Sequence, residues 1–238
     1  MVRATIFDID GTIIDSVDAH IEAWQRAFAR YGKETSREQI RQKIGEGADE
    51  MLPVFFSQDE LRRFRSDLEK YRSGLFKREY LPLLKAFPRV RELFQRLKDE
   101  GKKIALGSTA KGDEIAIYKE IAQVEDLVDC VACSEEVKKS KPHSDICAAA
   151  LRKLDEIPAR MIAIGDTAYD VESAGKIDIA TIGLLCGGGV RDELEHAGCV
   201  AIYENPAELF KHYTHSPLGP IWNYPAINNV RARKNAPV

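Results

Sequence analysis

From residue 88 onward one pattern repeats: a short apolar run, a polar break, then a stretch with helical spacing. A helix is expected over 88–100, stopped by Gly101, then a strand at 103–107 and a helix at 112–122. Strands at 127–133, 161–165, 179–183 and near 199–203 alternate with helices at 142–154, 168–176, near 191–197 and near 206–212. Strand and helix alternating at this pitch specify a parallel sheet with helices on both faces. Sites in such sheets form beyond the carboxyl ends of the strands. The expected class is α/β, a doubly wound parallel sheet with a Rossmann-like core.

One more apolar run, 2–7, supplies a first strand, and no strand pattern follows it before about residue 100. Val17, Ile21, Trp24, Ala27 and Phe28 recur at helical spacing, and Gly32 stops that helix. Residues 36–80 keep helical patterns, broken near Gly45-Glu46-Gly47, Pro53 and Gly74. An all-helical block between the first two strands reads as an inserted α-helical cap domain. The organisation expected is a core from 1–15 and 81–213, a cap at 16–80 and a tail at 214–238. The tail holds four of the ten prolines and no Asp or Glu, and it carries Arg231, Arg233 and Lys234. Its +3 leaves −6 on the remainder of a chain whose net charge is −3. No periodicity survives there, so it is expected to be disordered or to lie along the surface, with Trp222 and Tyr224 as candidate anchors.

The near-neutral net charge gives no reason to expect nucleic acid or an anionic membrane as partner. No apolar run approaches the ~18 residues of a membrane helix. With no leader-like segment at the start, the cytoplasm is the expected compartment. Monomer and homodimer both stay open. The cysteines at 130, 133, 147, 186 and 199 are odd in number and do not suggest a disulfide framework. Cys130 and Cys133 form a C-x-x-C inside an expected buried strand and read as structural thiols.

Several element boundaries end in polar residues. The first strand runs into Asp8-Ile9-Asp10-Gly11-Thr12, and the second into Ser108-Thr109. Lys141-Pro142 opens a helix, and the strand at 161–165 delivers Asp166 and, one helical turn on, Asp170. A parallel sheet gathers all of these on one edge: four carboxylates, a cation and a hydroxyl. Clustered carboxylates repel one another and demand a cation. Hard oxygen ligands with room for water suit Mg²⁺. A Lys and a hydroxyl beside that metal would hold a phosphoryl group, whose oxygens the metal and Lys would neutralise. An Asp kept ionised there can attack phosphorus, and a second Asp two residues on could protonate the leaving oxygen and later activate water. Gly11 and Thr12 would let the backbone turn sharply and present N–H groups to phosphate. The phosphate-binding set expected is Gly11, Thr12, Ser108, Thr109 and Lys141.

Phe7-Asp8-Ile9-Asp10-Gly11-Thr12, followed by Ile13-Ile14-Asp15-Ser16, resembles the first motif of haloacid dehalogenase-like phosphohydrolases. Ser108 matches the second motif, Lys141 the third, and Gly165-Asp166-Thr167-Ala168-Tyr169-Asp170 the fourth. The resemblance spans about residues 1–212 and includes the helical cap of the phosphoglycolate phosphatase-like branch. It implies Asp8 as nucleophile and Asp10 as general acid/base, with Ser108 and Lys141 holding phosphate. It implies Mg²⁺ on the Asp8 carboxylate, the Asp10 backbone carbonyl and Asp166, with Asp170 near or in that shell. The implied enzyme is a Mg²⁺-dependent phosphoric monoester hydrolase acting on a small phosphorylated metabolite through an aspartyl-phosphate. Candidate substrate contacts in the cap are His20, Lys43 and Glu46.

The sequence departs from the family pattern at two places. Ser144 replaces a Pro after the Lys-Pro pair and is expected to cap the following helix. Ile177-Asp178 replaces an Ala-Gly pair, where Asp tolerates the left-handed turn. A β-phosphoglucomutase-like reading draws on His20, Ala23 and Trp24. Against it stand Gly165 before Asp166, where mutases carry Glu, and the lack of Arg in the 45–48 loop. Asp10 and Asp166 argue against dehalogenase chemistry, which needs neither a second Asp nor Mg²⁺. A receiver-like signalling module carries its accepting Asp on a middle strand and has no use for a cap. A non-catalytic phosphate-binding relative would not need the complete set. Arg62-Arg63-Phe64-Arg65 reads as a solvated helix face, and Gly187-Gly188-Gly189 as a flexible turn after a strand.

Overall fold

The computed structural model describes residues 1–222. Six strands form one all-parallel sheet: β1 (Ala4–Phe7), β2 (Lys103–Gly107), β3 (Cys130–Ala132), β4 (Met161–Gly165), β5 (Ala180–Leu184) and β6 (Ala201–Tyr203). Their spatial order is β3-β2-β1-β4-β5-β6. Ala4 to Phe7 lies in register between Lys103 to Leu106 and Met161 to Ile164. The chain builds outward from β1 to β3, then returns to β4 on the other side of β1. That reversal is the topological switch point, so the ends of β1, β2 and β4 open onto one crevice.

The central strands are buried on both faces, which is why they read as unbroken apolar runs instead of alternating ones. Large side chains fill one face: Phe7, Ile104, Leu106, Ile162 and Ile164 pack with Leu93, Phe94, Leu97 and Tyr118. The opposite face is lined by small residues, Ala4, Ala105 and Ala163. There α7 (Asp145–Leu154) packs through Ala149 and Ala150. The helix α5 (Val90–Asp99) covers the first face, and α6 (Gly112–Ala122), α8 (Ala168–Gly175), α9 (Arg191–Ala197) and α10 (Pro206–Lys211) complete the alternation.

Between β1 and β2 lie α1 (Val17–Arg30), α2 (Arg37–Arg41), α3 (Ala48–Phe55) and α4 (Gln58–Glu79). They bury a cluster of their own, including Ile21, Trp24, Phe28, Met51, Leu52 and Leu68. Ser57 and Glu60 close a capping box at the start of α4, worth about 1 kcal/mol.

Two local expectations need correction. Ser144 precedes α7, but its side chain makes no cap hydrogen bond. The segment after 213 does not begin as a free tail. Ser216 and Leu218 are buried, and the Leu218 carbonyl accepts from Lys102 Nζ at 2.7 Å, so an apolar anchor and a satisfied buried lysine hold it to the core. Tyr224 and the rest of the basic segment lie outside the described residues. Asp178 does take the left-handed conformation, at φ 59°. All five cysteines are free, and burial raises the Cys130 and Cys133 thiols.

Candidate active site

Asp8 leaves the end of β1, and its N–H donates to the Ile164 carbonyl at 2.8 Å. The chain then turns tightly: the N–H groups of Thr12, Ile13 and Ile14 all point to the Ile9 carbonyl. Gly11 sits at φ 81°, and a Cβ there would fall 2.3 Å from Asp166 Oδ2. Glycine is therefore required twice over, by the backbone conformation and by the neighbouring carboxylate. The Thr12 hydroxyl donates to Asp166 Oδ1 at 3.1 Å. Its side chain is spent on a carboxylate, which leaves only its backbone for the phosphate-binding role expected of it.

Lys141 is buried among acceptors. Its ammonium donates to Asp8 Oδ1 at 2.5 Å, to Asp170 Oδ1 at 2.7 Å and to the Gly107 carbonyl at 3.1 Å. Three donor hydrogens meet three acceptors. Burial alone would lower its pKa, but Asp170 and Asp8 outweigh burial and raise it. Asp170 is held from its other oxygen, which accepts from Thr167 Oγ1 at 2.7 Å and the Thr167 N–H at 3.1 Å in the capping box that starts α8. Helix capping thus fixes the orientation of a site carboxylate.

Asp8, Asp166 and Asp170 each bring an oxygen within 4.8 Å of the others. Burial, with Asp170 and Asp10 adding to it against Lys141, pushes the Asp8 carboxyl up to about 7. Burial, with Asp170 and Asp8 adding to it, holds Asp166 well above the usual carboxylate range. Two buried carboxylates and a partly buried one against one ammonium leave two negative charges uncompensated. A site of hard oxygens with that deficit fits a divalent cation such as Mg²⁺.

The Asp10 side chain does not join this cluster. Its Oδ1 accepts from Ser16 Oγ at 2.6 Å and lies 2.7 Å from His20 Nε2. Burial would raise Asp10, but His20, Ser16 and Arg72 overcome it and hold the carboxyl at about 2. His20 stacks on Phe76 at 4.2 Å between ring centroids. Ser108 is buried at the end of β2, where its Oγ accepts from the Ala110 N–H at 3.0 Å.

Above these strand ends lies a cavity of about 600 Å³. Asp8, Asp10 and Thr109 line it from the core, and His20, Trp24, Glu46 and Arg72 from the helices. Lys43 is not among the lining residues. It bonds Glu46, which does line the cavity, at 3.1 Å and lies over the Tyr169 ring. The helical segment sits against the core through Tyr169 OH, which donates to the Gln42 carbonyl at 2.7 Å, and through Ser140 N–H, which donates to Asp49 Oδ2 at 3.1 Å.

Three features escape the sequence reading. Gly187-Gly188-Gly189 is no loose turn: a Cβ at Gly187 would fall 1.8 Å from Asp166 Oδ2, and one at Gly189 2.1 Å from the Asp166 carbonyl oxygen. Consecutive glycines just past a strand's carboxyl end are the signal for such a close approach. Arg72 lies four residues after the buried Leu68 and three before the buried Leu75, a cation on the apolar stripe of α4. With Arg65, it supplies to the cavity the arginine side chains that the 45–48 loop lacks. Glu114, in the first turn of α6, is buried and lines the same cavity.

A six-stranded parallel sheet with a carboxylate–lysine cluster at its switch point and a helical insertion after β1 defines a class of hydrolase. The family model for haloacid dehalogenase-like hydrolase matches residues 5–184, and the chain belongs to that family. It is 28% identical over 209 residues to a phosphorylated carbohydrates phosphatase of Thermotoga maritima, covering 87% of this chain and 96% of the relative. It is 23% identical over 180 residues to pyrophosphatase PpaX of Oceanobacillus iheyensis, covering 76% of this chain and 82% of the relative. A hydrolase from Pseudomonas syringae superposes with a TM-score of 0.80 at 26% identity, covering 89% of this chain and 97% of that one.

Proposed function

We propose that this chain is a Mg²⁺-dependent phosphatase that hydrolyses a small phosphorylated metabolite through an aspartyl-phosphate on Asp8. The observation that carries this reading is the buried bridge from Lys141 to both Asp8 and Asp170, with Asp166 beside them. The two named relatives act on phosphorylated carbohydrates and on pyrophosphate by their names, and both fall in this substrate class.

Asp8, Asp166 and Asp170 would hold the metal. Bound there, it would offset their charge and neutralise developing charge on the phosphoryl oxygens. Asp8 attacks phosphorus through a carboxylate oxygen. An O–P bond forms to Asp8 while the bond from phosphorus to the substrate oxygen breaks. Lys141 stays on Asp8 and Asp170 and offsets phosphoryl charge from there, while the Ser108 hydroxyl, which accepts from the Ala110 N–H, donates to a phosphoryl oxygen. Asp10 delivers a proton to the departing oxygen. In the resting site Asp10 is ionised, so it takes up one proton as the substrate binds and passes that proton on, while its hydrogen bond to His20 Nε2 at 2.7 Å holds it in place. Water then attacks phosphorus, its proton passes to Asp10, and the bond to Asp8 breaks to release phosphate. The carboxylate that His20 and Ser16 maintain is the form this second step needs.

Asp8→Asn should lower phosphate release by about 10⁴-fold or more while leaving the circular dichroism spectrum unchanged. Turnover retained in that variant, or in wild type with excess EDTA, contradicts the reading.

A further inference from the structure

Besides the carboxylates, the cavity lining includes two residues with a buried polar atom that nothing in the described residues satisfies. Glu114 is 5% exposed, and its Oε1 is shut off from solvent with no hydrogen-bond partner. Arg72 Nε is in the same condition. An unsatisfied buried polar atom is costly, and a protein keeps one where a ligand or another group completes it. Both residues line the cavity that Asp8 and Asp10 floor, Arg72 from α4 and Glu114 from α6.

Their surroundings limit what can complete them. The Arg72 guanidinium is clamped over the rings of Trp24 and Phe76, each at 4.9 Å, and meets His20 Nδ1 through Nη2. It is thereby anchored one side chain away from Asp10, the group that serves the leaving oxygen. Arginine offers only donors and an ionised Glu only acceptors. A hydroxyl is both, so neighbouring hydroxyls on one leaving group can pair with the Glu114 carboxylate and the Arg72 guanidinium together once these side chains turn toward the cavity. A second phosphate offers only acceptors at neutral pH. It would suit Arg72 but would set like charge against Glu114. The exposed Lys70, Lys111 and Lys138 at the cavity's margin attract any phosphorylated compound and do not discriminate.

We propose that Arg72 and Glu114 form a hydroxyl-binding subsite for the leaving group, which makes the substrate a phosphorylated carbohydrate and excludes pyrophosphate. This inference rests on the phosphatase reading above and narrows it. Because one residue comes from the helical insertion and the other from the core, the subsite exists only with the insertion seated as it is here.

The test measures kcat/KM with Mg²⁺ for a panel of hexose and pentose monophosphates, for pyrophosphate and for p-nitrophenyl phosphate, which has no hydroxyls on its leaving group. Wild type should prefer its best sugar phosphate over pyrophosphate. In Glu114→Gln and in Arg72→Gln, the ratio of kcat/KM for that sugar phosphate to kcat/KM for p-nitrophenyl phosphate should fall by about tenfold or more, mainly through KM. Glu114→Gln should also narrow the margin over pyrophosphate, whereas Arg72→Gln should not. A wild-type preference for pyrophosphate, or ratios within about twofold of wild type in both variants, overturns the subsite. Release of phosphate from none of the three kinds of compound by wild type is a different failure, that of the phosphatase reading itself.

Discussion

The two walls of the cavity are finished to different degrees. On the core side, Lys141 has three acceptors, Asp170 is held by a helix cap and Lys141, and Asp166 is wedged between Gly11, Thr12 and Gly187. On the other wall, which α4 of the helical segment and α6 of the core build together, Arg72 Nε and Glu114 Oε1 have no partner. Groups that do chemistry must be in place before the substrate arrives, since every ångström of misplacement costs rate. Groups that recognise a leaving group need capacity left over for it. The difference separates a pre-organised reaction centre from a recognition wall that its ligand completes.

The largest expected effect tests how completely the core wall depends on its one cation. Lys141→Met leaves Asp8 and Asp170 buried without their ion pair and should destabilise the protein by about 3–5 kcal/mol in urea unfolding. Arg72→Gln on the other wall loses stacking on two rings but leaves no such pair broken, and should cost less than about 2 kcal/mol. Equal losses in the two variants would erase the contrast.

A smaller effect probes the wedge. Gly187→Ala forces the Asp166 carboxylate aside and should weaken Mg²⁺ binding, read by calorimetry, by about 10–100-fold. Unchanged affinity would mean that Asp166 tolerates displacement and that the centre is looser than described.

A further effect, comparable in size to the loss of Lys141, is one of pH. Burial gives Asp8 a folded-state pKa of about 7, above its ordinary 3.8. A carboxyl whose pKa is raised on folding favours the folded state while protonated, and that contribution is lost as pH rises from about 4 through 7. Without Mg²⁺, Asp8→Asn should therefore raise the melting temperature relative to wild type at pH 8 and lose that advantage near pH 4. Asp10 has the opposite sign. Its value of about 2 makes it stabilising above about 4, with the contribution lost as pH falls toward 2. A gain from Asp8→Asn that does not change with pH would show that Asp8 is not strained by burial.

Much of the core wall was legible in the sequence because strand periodicity alone fixes it. The strand at 161–165 matches β4, so Asp166 falls just past its end, and the same reasoning positions Asp8 and Ser108. The fourth motif held more than its spacing revealed, since Thr167 and Asp170 also cap α8. The recognition wall was not legible in the same way. Arg72 and Glu114 are 42 residues apart in the sequence, on two helices whose packing no local pattern specifies. Lys43 reads as a pocket residue by its position, yet in the fold it meets the cavity only through its pair with Glu46. Gly187 and Ser144 mislead for a related reason: a close approach and an unused cap are properties of the folded neighbours and not of the residue itself.

In the proposed reaction Asp8 carries the phosphoryl group between the two half-reactions. This is tested most directly in Asp10→Asn, where loss of the base should slow hydrolysis of the intermediate more than its formation. The variant is incubated with Mg²⁺ and its best sugar phosphate, quenched in acid and mapped by peptide mass spectrometry. A phosphoryl adduct on the peptide containing Asp8, absent when Asp8→Asn is added, is the predicted result. An adduct on another residue, or continuing turnover with no adduct at any time point, would contradict it.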